Sequence, residues 1–209
     1  MIHESTHPLV KHFVNSLRDL QIDALRFRHL VRELTKVMMP ELDGVLPRTN
    51  RSIVTWQGKK SFEFIDEDRL LFATILRAGM PMIEAAGELF PLAASGFLAM
   101  KRNEETKKSH LYYDRIPECR GKTVILLDVM VATGGSLIDA VRFLRQKGPE
   151  RIVSLNIIGA PEGIRAVEEV HPDLEIYIAQ IDERLNAEKF ILPGLGDAGD
   201  RSYNTVEKQ

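Results

Sequence analysis

The sequence predicts an α/β protein: a mainly parallel sheet with helices on both faces, preceded by N-terminal helices and a β-arm. Three observations carry that expectation. From Leu70 onward, short apolar runs alternate with segments of helical period, the pattern of a sheet covered on both sides by crossover helices. Residues 124–141, VILLDVMVATGGSLIDAV, join one such run to a helical pattern through a turn of small residues. A chain of 209 residues, 44% of them hydrophobic, has enough apolar material for one substantial core. Residues 1–209 are therefore read as a single domain, with 47–66 as a protruding arm.

Taken in order, Leu9, Phe13, Leu17 and Leu20 form a first helical stripe. Phe27, Leu30, Val31, Leu34, Val37 and Met38 form a second, with Asp23 placed to cap its start and Pro40 to end it. Ser52–Trp56 and Ser61–Ile65 favour strand and flank a turn at Gln57–Lys60. Such an arm packs on a second subunit or on its own domain, and the residues do not choose between these. Leu71–Leu76 reads as a buried strand, Pro81–Phe90 as a helix with proline in its first turn, and Ala94–Met100 as a strand. Residues 101–120 are polar and poorly patterned, and 104–113, with Tyr112 and Tyr113, read either as a lid or as simple packing. Thr123–Asp128 is a strand and Ser136–Lys147 a helix stopped by Gly148. Arg151–Gly159, Pro161–Val170 and Leu174–Ala179 continue the alternation as strand, helix and strand. The segment Ile191–Asp200 carries three glycines and a proline within seven residues and is expected to be irregular.

Composition excludes several classes. The net charge is −2 with acids and bases interspersed, so the basic face that general nucleic-acid binding needs is not expected. One cysteine, Cys119, permits no internal disulfide and suits a reducing compartment. The start lacks the charged and apolar regions of a signal peptide, and no apolar run approaches the ~20 residues of a membrane span, so a cytoplasmic protein is expected. The six histidines show no metal-ligand spacing, and no Ser–His–Asp arrangement offers an assignable nucleophile.

The chemistry concentrates in residues 128–136. Where a buried strand hands over to a helix, unpaired backbone N–H groups and the helix dipole converge on an anion. Gly134 and Gly135 let the backbone approach a phosphate, and the Thr133 and Ser136 hydroxyls add donors. A nucleoside-triphosphate loop needs a lysine where Ser136 stands, and the dinucleotide fingerprint needs three spread glycines. What remains, an acid followed by a Thr-Gly turn, resembles the phosphoribosyl diphosphate (PRPP) loop of the type I phosphoribosyltransferases. The segment ILPGLGDAGDR (191–201) is similar to the uracil loop of the uracil phosphoribosyltransferase family. So, for that family's other motifs, are Leu76-Arg77-Ala78-Gly79, Lys101-Arg102-Asn103-Glu104-Glu105, His7-Pro8-Leu9 and Val31-Arg32-Glu33-Leu34. The resemblance runs over about residues 5 to 205. It departs at Val129, where the family usually has proline, in the tail Arg-Ser-Tyr-Asn-Thr after Asp200, and over residues 47–66, onto which no function is carried.

The resemblance implies transfer of the phosphoribosyl group of PRPP to uracil, giving UMP and diphosphate. PRPP would be bound by Arg77, Arg102, Asp128, Val129, Met130, Val131, Ala132, Thr133, Gly134, Gly135, Ser136 and Asp197. Ile191, Gly196, Asp197 and Ala198 would frame the uracil. Asp128, Arg77 and Asp197 would be the catalytic group: Asp128 on the ribose hydroxyls, Arg77 on the diphosphate, and Asp197 on ribose or diphosphate or as acceptor of the base N1 proton. Mg²⁺ would arrive on PRPP rather than in a protein cage. A GTP effector and a homodimer or higher oligomer also belong to what is implied. Two alternatives stay open: a regulator that senses PRPP or UMP and binds RNA, and a phosphoribosyltransferase for another base.

Overall fold

The computed structural model describes residues 1–102 and 109–205. It opens on a three-residue strand, β1 (Ile2–Glu4), followed by α1 (Pro8–Arg18) and α2 (Ala24–Met38). Asp23 caps α2 as expected, its carboxylate accepting the Arg26 N–H at 2.7 Å. The helix ends two residues before Pro40, which sits in a 3₁₀ turn over Met39–Leu42. The stripe on α2 is borne out: Phe27, Leu30, Val31, Leu34 and Met38 are buried and Val37 is half-buried. On α1 the buried face is Val10, Val14 and Leu17, whereas Leu9 is 43% and Leu20 77% exposed. Both sets have helical spacing and share Leu17, Phe13 is half-buried against the same core, and the surface the helix packs on selects between the two stripes.

The hairpin is longer than its sequence suggested. β2 (Arg48–Thr55) and β3 (Gly58–Ile65) pair antiparallel from Arg48↔Ile65 to Thr55↔Gly58, so the turn is the two residues Trp56-Gln57. Gly58, at φ 104°, takes the left-handed position that closes it. β4 (Leu70–Ile75), α3 (Met80–Leu89) and β5 (Ala94–Arg102) follow. Next come β6 (Ser109–Arg115), β7 (Thr123–Val131), α4 (Gly135–Gln146), β8 (Arg151–Gly159), α5 (Pro161–Val170) and β9 (Glu175–Ile181). The chain closes with β10 (Arg184–Leu185), β11 (Ile191–Leu192) and α6 (Ala198–Tyr203). Two of these correct the expectation of irregular chain after Ile191: β11 pairs with β10, and α6 is a short helix.

Among the described residues the main sheet has seven strands in the order β1-β9-β8-β7-β4-β5-β6. Every pairing is parallel except β5–β6. The mainly parallel sheet therefore stands. β4 and β7 show why: alternate residues go to two different cores. Phe72, Ile125 and Leu127 pack with α1, α2 and α3, including Phe27, Leu34 and Met82. Leu71, Ala73, Val124 and Leu126 pack with α4 and α5 through Val141, Leu144 and Val167. Burying each such side chain contributes about 1.5–3 kcal/mol, so a strand apolar on both faces is stable only between two helical layers.

The two strands of the main sheet that sequence reasoning missed, β1 and β6, are its edges. Edge strands need not be apolar on both faces and carry little periodic signal. β6 pairs with β5 through a register shift at Ala99/Met100. Of the expected lid, residues 103–108 lie outside the described residues, and Tyr112 and Tyr113 stand exposed on β6. β7 also runs three residues past its expected end, so Asp128 lies inside the strand opposite Asn156 rather than at its tip. Among the described residues no helix is long and apolar enough to cross a membrane.

Candidate active site

The end of β7, the turn after it and the start of α4 form one wall of a cleft of ≈ 320 Å³. Asp128, Met130, Val131, Ala132, Thr133, Gly134, Gly135, Ser136 and Leu137 line that wall. Opposite stand Ile75, Leu76, Arg77 and Ala78 from the end of β4, with Asp197 and Gly199 from the C-terminal segment. Strands β4 and β7 are neighbours in the sheet, so their C-terminal ends open onto the same cleft. Residues far apart in the chain, 75–78, 128–137 and 197–199, meet there.

Gly134 caps α4 at φ 78° with no side-chain hydrogen bond to the helix start. The ladder of α4 begins with Ile138 N–H on Gly134 C=O, at 2.9 Å, so the N–H groups of residues 135–137 have no partner within the helix. They sit on the cleft wall, where they and the helix dipole favour an anion. The turn itself rests on α5. A Cβ on Gly134 would lie 2.5 Å from the Gly163 carbonyl oxygen, and a Cβ on Gly163 would lie 2.1 Å from that of Ala132. The Ala160 N–H also donates to Val131 O at 3.0 Å. Gly163 was not singled out from sequence, although a glycine inside an otherwise helical pattern was the signal for it.

Asp128 is 8% exposed, and burial pushes its carboxyl up to about 7 against the pull of hydrogen bonds from the Val129 and Met130 N–H groups. It is a carboxyl that a hydroxyl-rich ligand would help to ionise. Arg77 is 54% exposed at the rim and pairs with Asp200 at 3.1 Å. Its turn is held by close packing as well, since a Cβ on Gly79 would fall 1.9 Å from Thr74 Oγ1, and that hydroxyl donates to Leu127 O at 2.7 Å. Asp197 accepts the Asp200 N–H at 2.8 Å and caps α6.

Not every expected site residue reaches the cleft wall. Val129 is fully buried in the core beneath α1, α2 and α3. Ile191 and Ala198 are also buried in that core, at 7% and 0% exposure, and neither lines the cleft. Gly196, at φ 77°, turns the chain just before Asp197 without lining the cleft. Arg102 ends β5, and its side chain lies outside the described residues. Ile75, Leu76, Ala78, Leu137 and Gly199 join the lining, and Asp200 joins it through Arg77, all unassigned from sequence. Among the described residues no group of three or more His, Cys, Asp or Glu side chains is arranged to hold a metal. Cys119 is buried, its thiol pushed up by desolvation, and it donates to Pro117 O at 3.3 Å, away from the cleft.

The family model described as uracil phosphoribosyltransferase matches residues 4–205. A uracil phosphoribosyltransferase of Aquifex aeolicus is 43% identical over 203 residues, 97% of this chain and 98% of the relative. One from Campylobacter fetus is 40% identical over 202 residues, 96% of each. A solved structure of an Aquifex aeolicus protein superposes with a TM-score of 0.94 at 42% identity, covering 100% of both chains. With a family model spanning nearly its whole length and relatives of this identity, the chain belongs to the uracil phosphoribosyltransferase family.

Proposed function

We propose that this protein transfers the 5-phosphoribosyl group of PRPP to uracil, giving UMP and diphosphate, as a pentosyltransferase of pyrimidine salvage. The observation that carries the reading is the convergence on one cleft of an anion-binding helix start, a buried carboxylate, a rim arginine and the turn of a glycine-rich loop. Bond breaking at ribose C1 passes through an oxocarbenium-like state, with negative charge growing on the departing diphosphate. Such a reaction asks for positioning and electrostatic stabilisation more than covalent chemistry. The α4 N-terminus takes the 5′-phosphate, and Asp128 accepts hydrogen bonds from the ribose hydroxyls. Arg77, whose guanidinium stays charged, exchanges Asp200 for diphosphate oxygens, with Arg102 as its second arginine. Asp197 and the backbone of the adjoining loop face the pyrimidine and the sugar. Mg²⁺ fits as an ion carried on PRPP oxygens, since Asp128 and Asp197 are the only carboxylates on the described cleft wall; it neutralises diphosphate charge.

The test is isotope-labelled uracil with PRPP and Mg²⁺, chromatographed for UMP, with cytosine, hypoxanthine and orotate as competitors. Labelled UMP is expected, unaffected by the other bases. Ordinary turnover of another base and none of uracil would remove the assignment, and tight, salt-steep RNA binding without turnover would favour a regulator. GTP, proposed as effector on the family resemblance alone, is added in the same assay and is expected to raise the rate.

The same proposal includes a homo-oligomer and a cytoplasmic setting, the latter supported by the lone cysteine. The hairpin supports the oligomer: Val54 is 84% and Trp56 92% exposed at its tip, and Ile53, Phe62 and Phe64 are also uncovered. Val54→Lys with Trp56→Glu is expected to convert an oligomer into a monomer by sedimentation. An oligomer that survives both changes would place the contact elsewhere.

A further inference from the structure

We propose that Arg18 and Asp182 are a positioning pair that fixes the base-facing loop, so that their loss weakens the uracil site and spares the PRPP site. The inference rests on the reading of the chain as a uracil phosphoribosyltransferase. Asp182 follows β9 directly, its side chain is fully buried, and its N–H is tied to the sheet through Gly159 O at 2.8 Å. Its Oδ1 accepts from Arg18 Nη2 at 2.6 Å. Its Oδ2 accepts from Arg18 Nη1 at 2.9 Å and from the Gly194 N–H at 2.9 Å. Arg18 Nη1 donates in addition to Gly194 O at 2.6 Å. Both backbone polar groups of Gly194 are therefore held by one largely buried ion pair.

The position being held is narrow. Gly194 has φ 63°, and a Cβ there would lie 2.1 Å from Ile191 O. Two residues on is Gly196, and three on is Asp197 at the cleft wall. A second guanidinium reinforces the first: Arg201 Nη1 donates to Leu195 O at 2.8 Å and to Leu17 O. The loop thus hangs from the C-terminal end of α1 on one side and from the sheet on the other. Neither Arg18 nor Asp182 lines the cleft, so neither is placed to touch substrate.

A buried ion pair is weak evidence of stabilisation, because apolar replacements of similar size often fold as well or better. What apolar groups cannot do is bond the N–H and C=O of one loop residue at once. Uracil presents donors and acceptors along a rigid edge, so a displacement of about 1 Å in the complementary backbone costs on the order of 10²-fold. Apart from Asp197, which lies on the loop itself, the residues read as holding PRPP come from β4, β5, β7, the turn after it and α4, which the pair does not brace.

The experiment compares the wild-type protein with Arg18→Lys, Asp182→Asn and the apolar double variant Arg18→Met with Asp182→Leu. Three quantities are read: KM for uracil at saturating PRPP, the PRPP dissociation constant without uracil, and the melting temperature. Uracil KM is expected to rise about tenfold or more in each variant, with the PRPP constant within about twofold of wild type. The double variant separates positioning from folding, since it is expected to melt near wild type and still bind uracil poorly. A wild-type uracil KM in variants that fold overturns the inference, and so does equal weakening of PRPP. Should Asp182→Asn fail to fold, Arg18→Lys and the double variant decide. Failure of the wild-type protein to turn over uracil removes the functional reading itself, and the pair's role with it.

Discussion

Replacing Asp128 with Asn is expected to abolish most turnover and, at the same time, to stabilise the ligand-free protein at alkaline pH. The opposite signs come from one cause. Burial raises the carboxyl from its ordinary 3.8 to about 7, so the folded chain holds a proton that the unfolded chain has already lost. That contribution to stability is complete below the unfolded value and drains away as pH rises through the folded one, between 3.8 and about 7. At about 1.4 kcal/mol for each factor of ten in proton affinity, the rise from 3.8 to about 7 puts the loss at up to about 4 kcal/mol by pH 8. Asparagine has the same shape and no proton to lose, so the variant should escape the penalty. Melting temperatures of the two proteins should diverge in the variant's favour between pH 5 and pH 8. A variant less stable than wild type at pH 8, or a gap independent of pH, would refute the account. Activity should move the other way. Two charge-assisted hydrogen bonds to ribose hydroxyls, at roughly 1.5–3 kcal/mol each, correspond to about 10²–10⁴-fold in kcat/KM for PRPP. In the wild-type protein that quantity should fall about tenfold per pH unit below 7, and the Asn variant should lack this limb.

Gly163→Ala is expected to damage the proposed PRPP site from the far side of the 131–134 turn. The new Cβ would meet the Ala132 carbonyl at 2.1 Å for oxygen and 2.8 Å for carbon, and Val131 O at 3.0 Å. These are backbone atoms that cannot swing away, so either α5 lifts or the 131–134 turn moves. Alanine gains about 1 kcal/mol over glycine as a helix former, which makes the sign of the outcome informative. Overpacking should outweigh it, leaving a net destabilisation of about 1–3 kcal/mol and at least a tenfold weaker PRPP complex. Gly87→Ala is the control. It lies in α3 with nothing within 4 Å of the new methyl, and should raise stability by roughly 0.5–1 kcal/mol without touching PRPP binding. A Gly163→Ala protein that melts higher and binds PRPP normally would show that the contact yields easily.

Much of this architecture was legible before any coordinates. The strands β8 and β4, the helices α4 and α5, and the cap at Asp23 rest on residues within a turn or two of one another. So does the turn between β7 and α4, because small residues between a buried run and a helical stripe leave the chain few other conformations. Errors gathered where local pattern and tertiary demand part company. α1 buried Val10 and Val14 in place of Leu9, since both faces are apolar and only the partner surface chooses. β1 and β6 were invisible because an edge needs one neighbour and no periodic stripe. The glycine-rich tail was read as irregular, yet β10 gives β11 a partner and Asp197 supplies a cap for α6.

The amino-acid order by itself determined the strands β4, β5, β7, β8 and β9, the helices α1 to α5, and the turn of small residues that follows Asp128. Periodicity, glycine placement and the chemistry of side chains are properties of neighbours along the chain, and no folding is needed to read them. Only the tertiary structure decided that Asp200 reaches across 123 residues to Arg77, that Gly163 supports the turn at Ala132, and that Asp182 and Arg18 hold Gly194. It also decided that Asp128 is buried deeply enough to keep its proton near pH 7. Each of these depends on distances and solvent access between remote segments, quantities that exist only once the sheet has brought those segments together.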